Sequence, residues 1–216
     1  MTLNTQLIQV SKTINLPTNT DFELGRILTR LEDAGTAPGL YLGQRAPDFT
    51  LPDAVGRPVS LQQRLDKGPV VISFNRGAWC PYCNTELRAL QDILPQILSL
   101  GASLISVSPQ KPDDSLSLTQ RYLLEFDLLS DTTQKISRDF KLWYEFPTEL
   151  RMFYSNIYGI DVSKENANGE WTLPVPGTFI LDRSGVVRAR HVAMDYRQRM
   201  EPAEILTTLR RLRSAA

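Results

Sequence analysis

Cys80 and Cys83 are the only cysteines in 216 residues, and they stand three apart in Trp79-Cys80-Pro81-Tyr82-Cys83. Residues at i and i+3 are neighbours on a helix, close enough for a disulfide with little backbone movement. The segment before them, Pro69-Val70-Val71-Ile72-Ser73-Phe74, is apolar and rich in β-branched residues, and Gly68 and Gly77 bound it. That is the pattern of a buried strand. After them, Leu87, Leu90, Leu94 and Ile97 recur at helical spacing, and Pro81 suits a first helical position, where no backbone donor is needed. The thiols are therefore expected at a strand-to-helix junction, on the first turn of the helix. Free N–H groups and the positive end of the helix dipole favour a thiolate there. The chemistry implied is dithiol–disulfide redox. Two inert buried thiols are the plain alternative. Half a zinc site is another, but structural zinc takes four ligands, and outside acidic groups only His191 could join.

Other residues read less sharply. Arg76 is either an exposed loop charge or a cation that lowers a thiol pKa and holds a substrate oxygen. Trp79 either covers the dithiol or fills the core at a strand end. His191 reads as a strand residue. Asp195, Tyr196, Arg197 and Arg199 either line a substrate rim or form a solvated loop.

Composition excludes several classes. Twenty-four basic residues balance twenty-four acidic ones, which gives no electrostatic case for nucleic acid or an anionic membrane. The run Arg210-Arg211-Leu212-Arg213 ends a predicted helix, where cations oppose the dipole on a solvated face. No stretch reaches the length of a membrane span, and the first thirty residues lack the pattern of a secretory signal. Two cysteines confined to one motif point to a reducing, cytoplasmic setting. Nothing in the sequence calls for a cofactor or a metal. A chain this long should bury roughly 70% of its unfolded surface, enough for a core without staples.

The elements that must position the thiols follow from patterning. Residues 1–42 are expected to form a helical extension, with no firm assignment before Leu16. Its helix runs from about Asp21 to Asp33, after the capping box Thr20-Asp21-Phe22-Glu23, and residues 34–39 form a linker. The extension should pack on the main domain or on a second subunit of a homodimer. Residues 43–216 read as one domain. A hairpin with its turn at 53–56 precedes the strand into the dithiol, and the long helix runs to about Leu100, with a kink expected at Pro95. A strand at 102–108, a helix at 114–124, a strand at 126–131 and a helix through Phe140 come next. A helix at 147–158 and a polar loop at 161–171 lead to a strand at 173–182, its antiparallel partner at 186–191, and a final helix from Glu201. This order describes an α/β fold with a mixed central sheet and helices on both faces.

From about Tyr41 to Leu212 the chain resembles the alkyl hydroperoxide reductase and thiol-specific antioxidant (AhpC/TSA) family, the peroxiredoxins and their relatives on a thioredoxin-like fold. The matching stretches are Ala46-Pro47-Asp48-Phe49, Gly56 to Leu61, Val70 to Phe74, Thr85-Glu86-Leu87, Leu129-Ser130-Asp131 and Thr178 to Gly185. The resemblance implies a peroxidatic cysteine at Cys83. It puts Cys80 where that family has a threonine, Arg76 where it has a proline, and Pro176 where it has an arginine. Trp79-Cys80-Pro81-Tyr82-Cys83 is instead similar to a thioredoxin or glutaredoxin dithiol, and Val175-Pro176-Gly177-Thr178 to their cis-proline loop. A cis Val175–Pro176 bond beside the thiols is therefore expected, with Arg76, Trp79 and Pro176 supporting Cys80 and Cys83.

The leading functional expectation is a thiol peroxidase that reduces hydrogen peroxide or organic hydroperoxides. Cys83 would become a sulfenic acid, Cys80 would condense with it, and an external thiol such as thioredoxin or glutathione would restore the pair. The alternative is a thiol–disulfide oxidoreductase acting on protein or glutathione disulfides, with Cys80 attacking. A redox sensor with the dithiol as its switch is the third.

Overall fold

In the computed structural model, which describes residues 1–14 and 17–214, the apolar run before the thiols is the strand β3 (Val70–Phe74), buried at every residue. It is central. In chain order, helices α1 (Leu3–Thr13) and α2 (Thr20–Asp33) and the hairpin β1 (Thr50–Pro52) and β2 (Pro58–Ser60) precede it, followed by the short α3 (Leu61–Leu65). Then come α4 (Pro81–Ser99), β4 (Ser103–Ser108), α5 (Pro112–Tyr122), β5 (Asp127–Ser130), α6 (Lys135–Asp139), β6 (Trp143–Glu145) and α7 (Thr148–Phe153). The chain closes with α8 (Val162–Glu165), β7 (Thr172–Pro174), β8 (Gly177–Leu181), β9 (Val187–Val192) and α9 (Pro202–Ser214).

The main sheet has the order β5-β4-β3-β8-β9. β3 runs parallel to β4, and β4 to β5, while β8 is antiparallel to both β3 and β9. Side chains alternate across the sheet, as the pleat demands. Ile72, Phe74 and Phe179 join one core with Leu61, Ile136, Phe140 and Leu150, so α3, α6 and α7 cover that face. Val71 and Ile180 join the other with Leu87, Leu90, Leu118 and Leu209, so α4, α5 and α9 cover the opposite one. Burial on both faces explains why β3 reads as a continuous apolar run.

Several expectations need correction. The segment at 173–182 is two strands: β7 pairs with β6 in a separate ribbon, and β8 enters the main sheet after Val175 and Pro176. β6 had no signal of its own, being three residues long. The expected loop at 161–171 contains α8, which Asp161 caps through the Ser163 N–H at 3.1 Å. The helix at 147–158 widens into a π-helical turn over Tyr154–Tyr158. α4 matches its expected extent and holds Pro95 inside it.

The N-terminal segment holds two helices. Leu3 and Leu7 of α1 and Leu24 and Leu28 of α2 are buried in the same core as Phe74 and Cys83, so both helices pack on the rest of this chain. Residues 15, 16, 215 and 216 of the two expected units lie outside the described residues.

Candidate active site

The loop leaving β3 is locked before it reaches the thiols. Asn75 donates through its side chain to Ser106 Oγ (2.9 Å) and accepts from the Gly77 N–H (2.8 Å). Gln110 Oε1 accepts from the Ala78 N–H, and Asn84 Nδ2 donates to the Ala78 carbonyl. Gly77 has φ +123°, and a Cβ there would lie 2.7 Å from Gln110 Cδ, so the position needs glycine on both counts. The loop then delivers Cys80 as the N-cap of α4, with φ −90° and ψ 110°, and Pro81 at the first helical position. The Cys80 Sγ accepts from the Cys83 N–H at 3.4 Å, so the thiol occupies the place of a capping oxygen. This is the junction expected from the sequence.

Both sulfurs are 0% exposed, and two arginines reach them. Arg76 is itself 2% exposed. Its Nη2 donates to Cys80 Sγ at 3.1 Å, its Nη1 donates to the Tyr154 hydroxyl, and its guanidinium lies over the ring of Tyr196 at 3.7 Å and near Trp79 at 5.0 Å. Its backbone N–H points at Cys83 Sγ, 3.5 Å away. Arg199, 2% exposed, arrives from the segment before α9. Its Nε donates to Glu86 at 2.7 Å and its Nη2 to Cys83 Sγ at 3.5 Å. Glu86 also accepts from Ser73 and Thr178, on β3 and β8.

These charges drive the two thiols apart. Burial would raise the Cys80 pKa, but a hydrogen bond from the Cys83 thiol and the charges of Arg76 and Arg199 hold it well below the ordinary thiol value. Cys83 is pushed well above that value by burial and by the hydrogen bond and negative charge of Cys80, against the two arginines. The two thiols therefore titrate as one coupled unit, in which the arginines favour the thiolate at Cys80. Burial also raises Glu86, with Arg199 opposing it.

A cavity of about 250 Å³ adjoins this cluster. Ile14, Trp79, Tyr82, Tyr158 and Tyr196 wall it, and Arg76 supplies its charge. Tyr158 and Tyr196 share a hydrogen bond between hydroxyls at 2.8 Å.

Of the residues singled out from sequence, Cys80, Cys83, Arg76 and Trp79 come together at one end of the main sheet. Pro176 lies at the same end, one residue before Gly177, which pairs with Phe74. The expected cis Val175–Pro176 bond is absent: the peptide is trans. Val175, in the link between β7 and β8, donates to the Leu142 carbonyl at 2.7 Å. The thioredoxin-like half of the sequence reading loses that support. Arg199 is a buried ligand of the thiol cluster, and Tyr196 lines the cavity. Asp195 and Arg197 pair with each other nearer the surface. Tyr154 and Gln110 carried no local signal, since only tertiary folding brings them to the loop. His191 sits on β9 with its Nε2 unpaired, and burial together with the Arg199 charge lowers its pKa. Among the described residues, no group of three or more His, Cys, Asp and Glu gathers as a metal site.

A mixed five-stranded sheet with two touching thiols at the start of the helix after β3 defines a thioredoxin-like fold of the peroxiredoxin kind. The AhpC/TSA profile matches residues 42–190, and the chain belongs to the AhpC/TSA family. It is 30% identical to chloroplastic peroxiredoxin Q of Sedum lineare over 146 residues, 68% of this chain and 66% of that protein. It is 30% identical to peroxiredoxin Bcp of Escherichia coli over 106 residues, 49% of this chain and 67% of the other. The chain thus spans about two thirds or less of these relatives. Among solved structures, peroxidoxin BcpB from Mycobacterium tuberculosis superposes with a TM-score of 0.63 at 22% identity, covering 80% of this chain and 97% of that one. The reduced 2-Cys peroxiredoxin of Plasmodium vivax gives 0.61 at 19% identity, covering 82% and 98%. At these identities the structures speak for the fold.

Proposed function

We propose that this chain is a thiol peroxidase, reducing hydrogen peroxide or an organic hydroperoxide through a dithiol–disulfide cycle of Cys80 and Cys83. One observation carries the reading: two fully buried thiols share a charge under two guanidiniums, beside a cavity sized for a small molecule. The cavity brings a molecule as small as a peroxide up to Trp79 and Pro81, the residues flanking Cys80, whereas a protein disulfide needs a sulfur at the surface. The buried sulfurs and the trans Pro176 both weigh against the oxidoreductase alternative. Arg76 and Arg199 supply positive charge where negative charge develops on the leaving oxygen. An external thiol such as thioredoxin or glutathione regenerates the pair by exchange. The cytoplasm and a homodimer belong to the same proposal, the latter checked by light scattering.

The test is to mix the reduced protein with hydrogen peroxide or with oxidised glutathione while following tryptophan fluorescence, since Trp79 adjoins Cys80. One equivalent of peroxide should change the signal, and mass spectrometry should show the loss of two hydrogens, reversed by dithiothreitol. Reaction with oxidised glutathione alone would overturn the reading.

A further inference from the structure

We infer that Cys80, and not Cys83, is the sulfur that attacks peroxide, with buried Arg76 as its counter-ion and Cys83 as the resolving thiol. This deepens the proposed peroxidase function and rests on it. It reverses the roles that resemblance to the family assigns.

The first ground is charge balance. Arg199 is neutralised by Glu86 at 2.7 Å, with both side chains almost wholly buried. Arg76 is equally buried, and among the described residues no carboxylate pairs with it. The titratable groups facing it are Cys80, Cys83, Tyr154 and Tyr196. Burial pushes both tyrosines upward, Tyr154 to about 12, so neither supplies an anion near neutral pH. A guanidinium does not shed its proton, and an unpaired buried cation is strongly disfavoured. The sulfur that Arg76 Nη2 touches at 3.1 Å is left to carry the negative charge. Arg199 also raises the local potential, but its own balance does not require a thiolate.

The second ground is placement. Cys80 is the N-cap, where the Cys83 N–H points at its Sγ, and it sits between Trp79 and Pro81, which both line the cavity. Arg76 also lines that cavity, and its Nε–H is buried without a partner. A peroxide oxygen would give that donor an acceptor, on the same guanidinium that holds Cys80. Cys83 lies one helical turn further in, between the Arg76 backbone and Arg199.

The reaction then balances. The Cys80 thiolate forms an S–O bond with one peroxide oxygen as the O–O bond breaks. The electron pair leaves on the other oxygen, which takes a proton from water and departs as an alcohol, or as water from hydrogen peroxide. The Cys83 thiol attacks the Cys80 sulfenic sulfur, and the displaced hydroxide takes the Cys83 proton and leaves as water. A disulfide remains, and the peroxide has accepted the two electrons that the dithiol lost.

Serine variants of the full chain test the order of attack. With hydrogen peroxide, Cys83→Ser should consume about one equivalent and hold a dimedone-reactive sulfenic acid on Cys80. Cys80→Ser should react at least roughly a hundredfold more slowly. The opposite result, a burst in Cys80→Ser with sulfenic acid on Cys83, would overturn the inference and leave the peroxidase reading standing. Wild type that consumes no peroxide would overturn that reading and the attack with it. Charge placement is read separately from the ultraviolet absorbance of the thiolate as pH is raised. The low-pH titration should persist in Cys83→Ser and in Arg76→Lys, vanish in Cys80→Ser, and move to higher pH in Arg76→Met. Its persistence in Cys80→Ser would refute the assignment even if every variant were slow.

Discussion

At the residue scale the thiol pair is one titrating unit with a consequence for stability. The Cys80 pKa lies below its unfolded value, so its stabilisation is complete above that value and is lost as pH falls through the folded one. Cys83 is raised, so its contribution is complete below the unfolded value and is lost as pH rises through the folded one. The thiol part of stability should therefore peak near the ordinary thiol pKa of about 8.5. Urea midpoints across pH should show both limbs, with the acid limb gone in Cys80→Ser and the alkaline limb gone in Cys83→Ser. A second residue-scale expectation concerns Arg199 and Glu86, paired at 2.7 Å where each is almost fully buried. Removing one partner strands a buried charge, so Arg199→Met should cost about 3–5 kcal/mol, and adding Glu86→Gln should recover part of it. Chemical denaturation of the three proteins measures both effects.

At the element scale, the loop between β3 and α4 gives the dithiol its geometry. Asn75, within the loop, ties it to Ser106 of β4, and Gln110 and Asn84 hold its backbone from the segment after β4 and from α4 itself. Gly77→Ala should add a left-handed strain of about 1–3 kcal/mol and push Gln110 away, since the new Cβ would lie 2.7 Å from its side chain. Thermal unfolding should show the loss. The thiolate absorbance should fall as well, because Arg76 rides on the same loop. The loop's stiffness was only half legible. Gly77 marked the end of the strand segment in the sequence, but its lock is a glutamine thirty-three residues later.

At the scale of the whole molecule the two ends of the chain meet. The Glu201 carboxylate, just before α9, accepts from the backbone N–H groups of Leu3 (3.0 Å) and Asn4 (2.8 Å) and from the Asn4 side chain (2.7 Å). A negative charge at a helix start is favourable there, and it anchors α1. α1 in turn meets α4, where Ser11 and the Tyr82 hydroxyl are 3.0 Å apart, and Ile14 walls the cavity. Glu201→Ala should cost about 1.5–3 kcal/mol, the range for hydrogen bonds to a charged group. Limited proteolysis should then cut within residues 1–14 sooner, and acrylamide should quench tryptophan fluorescence more strongly as the cavity wall loosens. No change in either would mean that α1 is held by its buried leucines alone.

The sequence by itself determined the local chemistry: which strand leads into the thiols, which helix they start, and that i, i+3 spacing brings them together. Those are short-range matters of periodicity, a proline at a first helical turn and two glycines, and they hold wherever the segment sits. It also carried the family, through motifs spread from Ala46 to Gly185. Tertiary structure alone decided that Arg76 is buried rather than solvated and that Arg199, 116 residues from Cys83, reaches its sulfur. It likewise decided that Val175–Pro176 is trans and that α1 closes one side of the cavity. A loop arginine looks alike in sequence whether water or a thiolate balances it. Which one does so depends on desolvation and on partners from distant elements, and neither leaves a periodic trace along the chain.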